Sequence, residues 1–174
     1  GDLDAADREL EVHARMADEL RLPQYRWHAL LVRATRATAA GRFAEAETLA
    51  ARATAGRAPG AGGSNVAQFH GVQLFVLRRE QGRLAELASA VESFAEHGEA
   101  LPIWRGGLAL LRAELGDAAA ARRILGDLGA RHFANLPNDG NWLPTVTTLA
   151  EVCELVGDAK TAAVLYPLLA PHAG

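Results

Sequence analysis

The chain has 174 residues, of which 49% are hydrophobic and 22% charged, and its formal net charge at pH 7 is -3. This length suits one domain with a hydrophobic core, and the balance of apolar and charged residues argues against an intrinsically disordered chain. The slight negative charge and a pI near 6.1 lack the basic surface of a nucleic-acid-binding domain, so we expect no direct contact with nucleic acid.

The pattern of apolar and turn-forming residues predicts about nine helices in chain order. No alternating pattern with hairpin turns is long enough to indicate a β-sheet, so the predicted fold class is all-α. Pro23 and Pro102 fall in the first turns of their helices, where the missing N–H is not needed. The predicted helices span residues 3–21, 23–40, 43–56, 65–81, 84–97, 102–115, 118–131, 142–156 and 159–170.

A glycine-marked turn recurs four times between these helices. The glycines are Gly41, Gly82, Gly116 and Gly157, at intervals of 41, 34 and 41 residues, and about 34 residues is the tetratricopeptide period. Turn-forming insertions at 56–65 and 135–141 explain the two longer intervals. Because glycine adopts the left-handed conformation that ends a helix without strain, each turn predicts an antiparallel helix hairpin.

The position seven residues before each glycine indicates how closely the two helices of a hairpin pack. It is alanine in three hairpins and Phe75 in the second, so we expect Phe75 to splay that pair. We predict one tetratricopeptide-like domain over 1–174, a right-handed superhelical stack of antiparallel helix hairpins (an α-solenoid). Its parts are a half repeat at 3–21 and repeats at 23–56, 65–97, 102–131 and 142–170.

Several segments carry a more specific pattern, at residues 22–27, 40–47, 136–143, 149–151, 157–158 and 162–171. The most distinctive stretch runs from Asn-Asp-Gly-Asn-Trp-Leu to Leu-Leu-Ala-Pro. Together they resemble the tetratricopeptide-like region of large bacterial regulators that join an AAA/NACHT-like ATPase to helical repeats and carry a LuxR-type DNA-binding or a class III cyclase domain. The family often has tyrosine where His172 stands.

The resemblance implies a sensor or scaffold segment of a bacterial signalling or transcriptional regulator. The ATPase, DNA-binding and cyclase motifs of such proteins are absent from this sequence. The chain begins without an initiator methionine and ends without a polar closing helix, so we expect a fragment of a longer protein. The single cysteine, Cys153, cannot form an internal disulfide, and no apolar run approaches the roughly 18 residues of a membrane span. We therefore expect a cytoplasmic location and no membrane partner.

The sequence contains no recognisable catalytic motif. The glycine-rich run at 56–63 has no Lys-Ser/Thr after it, which indicates a loop between repeats rather than a phosphate-binding loop. The six histidines are scattered without metal-ligand spacing. Cys153 lies in an apolar helical pattern that favours a core residue over a nucleophile, although a triad partner distant in sequence stays open. We predict no catalytic residue, no metal and no cofactor.

The first helices of the hairpins predict a concave face, where solenoids usually bind partners. We expect apolar residues in its middle to contact an apolar helix or loop, and charged residues to orient it. The alternative is a register error of one residue, with these side chains packed between repeats. The candidate binding residues are His28, Phe69, Val72, Val76, Arg79, Ile103, Leu110, Thr147, Glu151 and Glu154.

Three tryptophans, Trp27, Trp104 and Trp142, lie near the starts of first helices and are interpreted as hairpin core rather than a ligand cage. The predicted function is a non-catalytic protein-interaction and regulatory scaffold. Its expected partners are neighbouring domains of a parent chain or another copy. Two alternatives stay open: a sensor that binds a small-molecule effector on the concave face, and an enzyme of unknown type.

Overall fold

A computed structural model describes residues 2–55, 63–96 and 102–173. Within these ranges the chain forms nine α-helices and two short 3₁₀ helices, and no strand, which confirms the all-α class. None of the described helices has the length and apolar character needed to cross a membrane. The helices are α1 (Leu3–Glu19), α2 (Pro23–Ala39), α3 (Phe43–Thr54), α4 (Gly63–Glu80), α5 (Ala88–Glu96), α6 (Pro102–Glu114), α7 (Ala118–Leu128), α8 (Trp142–Val156) and α9 (Ala159–Leu169), with 3₁₀ helices at Leu84–Leu87 and Ala170–His172.

Most helix ends lie within two residues of their predicted positions. The segment predicted as one helix at 84–97 begins as a 3₁₀ helix and continues as α5. The helix predicted at 118–131 ends three residues early, at Leu128. The glycine-rich run falls outside the described residues up to position 62, and α4 begins at its last glycine, Gly63.

The contacts divide the chain into two compact units, Gly1–Leu84 and Ala85–Gly174. In the first unit α2 is central and packs against α1, α3 and α4. In the second unit α6 packs against α5, α7 and α8, and α8 also packs against α9. Each unit thus has a first helix of a predicted hairpin, α2 or α6, at its centre.

All four marker glycines adopt the left-handed conformation, with φ between 68° and 87°. After α2, the Gly41 N–H donates to the Thr38 carbonyl at 3.0 Å and the Arg42 N–H donates to the Ala37 carbonyl at 2.9 Å. The same pair of bonds follows Gly82, Gly116 and Gly157. This is the Schellman motif, which satisfies the last carbonyls of a helix and reverses the chain.

Aspartates complete two of these turns. Asp117 accepts a hydrogen bond from the Ala120 N–H at 3.0 Å, and Asp158 accepts one from the Thr161 N–H at 3.0 Å. Each carboxylate therefore caps the helix that follows its glycine, α7 or α9. A Gly-Asp pair ends one helix and begins the next within two residues.

Three ion pairs join α1 to α2 in the first unit. As the α2 residue number rises, the α1 partner number falls, so the two helices are antiparallel. The Arg36–Asp7 pair is bidentate, with nitrogen–oxygen distances of 2.7 and 2.9 Å, and this hydrogen bonding lowers the pKa of Asp7. The pairs are Arg26–Asp18, Arg33–Glu11 and Arg36–Asp7.

The segment after α7 contains three consecutive left-handed residues. Arg131, His132 and Phe133 have φ values of 59°, 56° and 63°, which no right-handed helix permits. The Phe133 side chain is buried, and its ring lies so close to Gly129 that a Cβ there would stand 3.1 Å from it. Burial of this ring stabilises the turn. The turn ends α7 at Leu128, before the predicted position.

Small residues make the helix contacts close in the first unit. Ala34 and Ala37 on α2 meet Ala46 and Ala50 on α3 in one buried cluster with Leu49 and Leu77. In the second unit the fully buried side chains are larger, and Leu111, Leu125, Leu149 and Leu165 are among them. Trp27 and Trp104 are buried, as their interpretation as core residues predicts, and Trp142 is half-buried.

Candidate functional site

An open groove lies between α2 and α4 in the first unit. Its volume is about 470 Å³. The α4 side is largely apolar, and the α2 side adds two threonine hydroxyls. The lining residues are Leu31, Thr35, Thr38 and Ala39 on α2 and Phe69, Val72, Gln73, Val76 and Glu80 on α4.

The two helices that form this groove run parallel. Near their beginnings the Trp27 and Phe69 rings meet edge to face, with centroids 6.1 Å apart. One to two turns later Gln73 contacts Leu31 and Thr35. The groove therefore follows both helices from the Phe69 end toward Glu80, over about 16 Å at 1.5 Å per residue.

Gln73 bridges the two helices at the floor of the groove. Its Nε2 donates to the Leu31 carbonyl at 2.7 Å and lies 3.1 Å from the Thr35 hydroxyl. The Leu31 carbonyl can only accept, so the atom facing it has to be the amide nitrogen. This contact identifies which amide atom is the nitrogen, and it places Oε1 away from Leu31.

The Oε1 atom of Gln73 is left without a partner. The side chain is only 8% exposed, and Oε1 is buried with no hydrogen bond to any of the described residues. A buried acceptor without a donor is costly, by about 1–3 kcal/mol. Such groups are rare in folded proteins and call for a physical explanation.

The corresponding helices of the second unit, α6 and α8, leave no comparable opening beside Gly106. A Cβ built on this buried glycine would lie 3.8 Å from Leu149 Cδ2 and 3.9 Å from Thr145 Cγ2, so the two helices are in close contact there. In the first unit, by contrast, the long side chain of Gln73 on α4 spans the distance to α2.

The candidate residues predicted from the sequence differ between the two units in the same way. Phe69, Val72 and Val76 line the groove and are 54%, 38% and 45% exposed. His28 is exposed beside the Trp27 ring, with ring centroids 4.7 Å apart. Arg79 is half-buried and is not a lining residue.

The candidates in the second unit do not form a comparable surface. Leu110 is 3% exposed and so belongs to the core, which is the packing alternative that the sequence left open. Ile103 and Glu151 are half-buried, and Glu154 is exposed. Thr147 is exposed, and its hydroxyl donates to the Leu143 and Pro144 carbonyls of its own helix.

The structure brings Leu31, Thr35 and Thr38 of α2 to the same groove as Phe69. The sequence did not single out Gln73 or Glu80. A signal was present for Gln73, since it is a polar residue within the apolar stripe of Phe69, Val72 and Val76. A polar side chain on such a stripe has to find a partner or a function.

The charge of the groove is low. Glu80 is the charged residue among the described residues that line it, and it stands at one end. A carboxylate at this position disfavours anionic ligands and accepts neutral or cationic ones. The arrangement can therefore bind an apolar group but holds no acid–base pair along its walls.

Two titratable groups outside the groove have pKa values shifted by burial. Burial raises the pKa of the Cys153 thiol to about 11, so this thiol is protonated and a poor nucleophile at neutral pH. Burial also lowers the pKa of His70, whose Nδ1 has no partner among the described residues. Within 2–55, 63–96 and 102–173, no three His, Cys, Asp or Glu side chains are grouped so that they could hold a metal ion.

Comparisons with protein-family models, with curated proteins and with solved structures gave no match.

Proposed function

We propose that the chain is a non-catalytic protein-interaction and regulatory scaffold of the tetratricopeptide type. In this proposal its hairpins form a right-handed superhelical stack within a larger bacterial signalling or transcriptional regulator of the cytoplasm. The partner is a neighbouring domain of the parent chain or a second copy. Left-handed glycines at repeating positions and the resemblance of the sequence to such regulators support this architecture.

The observation that carries the proposal is the exposed apolar wall of the α2–α4 groove. Phe69, Val72 and Val76 follow one another along α4, and each remains at least 38% exposed. Contiguous exposed apolar side chains commonly mark interaction sites. Repeat proteins bind their partners on surfaces made by successive first helices, and α2 and α4 are predicted to be such helices.

The test uses a charge placed in the groove. Val76→Glu should weaken binding of the flanking domains of the parent protein, or self-association, by at least about tenfold, because the interface would then bury a carboxylate. Isothermal titration with separately produced flanking domains and sedimentation equilibrium of the chain alone measure the two cases.

Val32→Glu is the matched control. Val32 is also a helical valine with 44% exposure, against 45% for Val76, but it does not line the groove. It should leave binding within about twofold of the wild type. Equal effects of the two substitutions, or the absence of any binding by flanking domains or by a second copy, would contradict the proposal.

A second candidate function is a sensor for a small-molecule effector. The buried Oε1 of Gln73, a residue that lines the groove, has no partner within the part of the chain that the structure describes, and this favours a sensor because a ligand donor would satisfy the atom. Binding would then shift the conformational equilibrium of an attached ATPase. The size of the shift is set by the difference in the ligand's affinity for the two conformations of the protein.

A further inference from the structure

The α2–α4 groove combines apolar walls with one unsatisfied acceptor. Phe69 and Val76 provide apolar surface, and Gln73 also lines the groove, with its buried Oε1 lacking a donor among the described residues. A site with a buried polar group discriminates strongly between ligands that satisfy this group and analogues that do not. Such a site selects for a hydrogen-bond donor.

We propose that the α2–α4 groove binds a small, flat, mainly apolar molecule that carries one N–H or O–H group and donates it to Gln73 Oε1. This inference rests on the effector-sensing function and adds the ligand class and the recognition atom. The volume of about 470 Å³ falls in the range of small-molecule sites, about 300–1,000 Å³.

The amide of Gln73 has to turn before it can receive the ligand, because Oε1 is closed to water. The terminal torsion of a glutamine is broad, so this rotation is open to the side chain. Nε2 has two contacts, at 2.7 Å to the Leu31 carbonyl and 3.1 Å to the Thr35 hydroxyl. The amide is planar, so Nε2 moves with Oε1, and the bond that the ligand donates has to offset the weakening of these contacts.

The position of the acceptor favours a small molecule over a helical protein segment. The backbone N–H groups of a helix are already bonded within the helix, so they cannot donate to an atom below the floor of a groove. A small planar molecule can lie between Phe69 and Leu31 with its donor at the edge. The carboxylate of Glu80 at the end of the groove favours a ligand with a neutral or positive charge.

Indole and benzofuran test the recognition of a donor. They have the same bicyclic shape, but indole presents N–H where benzofuran presents an acceptor oxygen. Titration of the full chain, followed by the backbone amide resonances of Val72 and Val76, should show indole binding about tenfold more tightly than benzofuran. Equal affinities, or shifts confined to residues outside the groove, would overturn the proposal.

Gln73→Met removes the acceptor and keeps the length of the side chain. The indole preference should then fall to about twofold or less, since neither ligand meets an unsatisfied atom. A tenfold preference that persists in this variant would exclude Gln73 as the recognition residue. If Gln73→Met does not fold, as judged by circular dichroism, the comparison of the two ligands on the wild type still decides the proposal.

Val76→Trp tests the position of the site, because the larger side chain fills the groove. It should weaken both ligands by at least about tenfold, whereas Val32→Trp, at a similarly exposed valine outside the groove, should leave both within about twofold. The result is separable from the scaffold function. Loss of partner binding by Val76→Glu without any indole preference supports the scaffold alone, and the reverse pattern supports the ligand site alone.

Discussion

Arg21 and Gly41 occupy equivalent positions in successive turns, each one residue beyond the C-cap of a helix. Both are left-handed, with φ values of 53° and 72°, and the Arg21 turn repeats the Schellman bonds through Arg21 N–H to Asp18 and Leu22 N–H to Ala17. A side chain in this conformation is strained by contact between Cβ and the backbone, whereas glycine is not.

Arg21→Gly should therefore stabilise the first unit by about 0.5–1 kcal/mol. Urea unfolding followed by circular dichroism measures the change. Gly41→Ala is the reciprocal control and should destabilise by about 1 kcal/mol, because a Cβ there meets no atom within 4 Å and only the backbone strain remains. A loss of stability in Arg21→Gly would show that the contacts of the arginine side chain stabilise the fold by more than its left-handed backbone costs.

This turn also shows which parts of the fold the sequence can predict. Four helix reversals carry glycine and were located from it, whereas the Arg21 turn has no glycine and was placed by Pro23 at the start of the next helix. The end of α7 was predicted three residues too late, because the left-handed Phe133 has no local marker and its ring is buried against Gly129. Helix existence follows from local periodicity, but the end of α7 depends on packing.

The candidate site was predictable in part. Periodicity places Phe69, Val72 and Val76 on one face of α4, and this face lines the groove. The helix contact differs between the units, with Gln73 bridging α4 to α2 in the first and Gly106 of α6 lying close to α8 in the second. No single-sequence pattern indicates that Leu110 is covered by its neighbours while Phe69 is exposed.

A second stability prediction concerns the start of α3. Arg42 has no side-chain cap bond, with φ -84° and ψ 64°, almost the same as the capping Asp117, with φ -84° and ψ 65°. The backbone is thus arranged for a cap that the arginine does not supply. Arg42→Ser would add the cap, and Glu45 three residues later would complete a capping box.

Arg42→Ser should be more stable than Arg42→Ala by about 1 kcal/mol. Both substitutions remove the Arg42–Glu45 ion pair, which is exposed and contributes little, so their difference isolates the cap. Denaturant unfolding of the two variants gives this difference directly. Equal stabilities would show that the residue at this position does not act as an N-cap.

Asp158 makes the stability of the second unit dependent on pH. Hydrogen bonds from the Thr161 backbone and hydroxyl groups lower the pKa of Asp158 below its ordinary value of 3.8. A carboxylate whose folded pKa is depressed stabilises the fold above the unfolded pKa, and this stabilisation is lost as the pH falls through the folded pKa. The loss therefore begins near pH 4 and grows toward lower pH.

Asp158→Asn keeps a capping oxygen but removes this titration. Between pH 5 and pH 2.5, at about the range of carboxylate titration, its melting temperature should fall less steeply than that of the wild type. Parallel curves for Asp158→Asn and the wild type would contradict the assignment.

Gly106 tests the close contact that distinguishes the second unit from the groove of the first. A Cβ at this position would lie 3.8–3.9 Å from Leu149, Thr145 and Thr148, which is ordinary van der Waals contact. Gly106→Ala should therefore stabilise the unit by about 0.5–1 kcal/mol through helix propensity and added contact. A branched side chain has no such space.

Gly106→Leu should destabilise by about 1–3 kcal/mol, because the added atoms force α6 and α8 apart. Gly126→Leu is a control on an exposed helical glycine with no atom near its Cβ position, and it should be neutral or stabilising. Differential scanning calorimetry of Gly106→Ala, Gly106→Leu and Gly126→Leu measures the order of their stabilities. Equal stabilities of Gly106→Leu and Gly126→Leu would show that α6 and α8 leave enough space at Gly106 for a large side chain. The close contact at this glycine would then be contradicted.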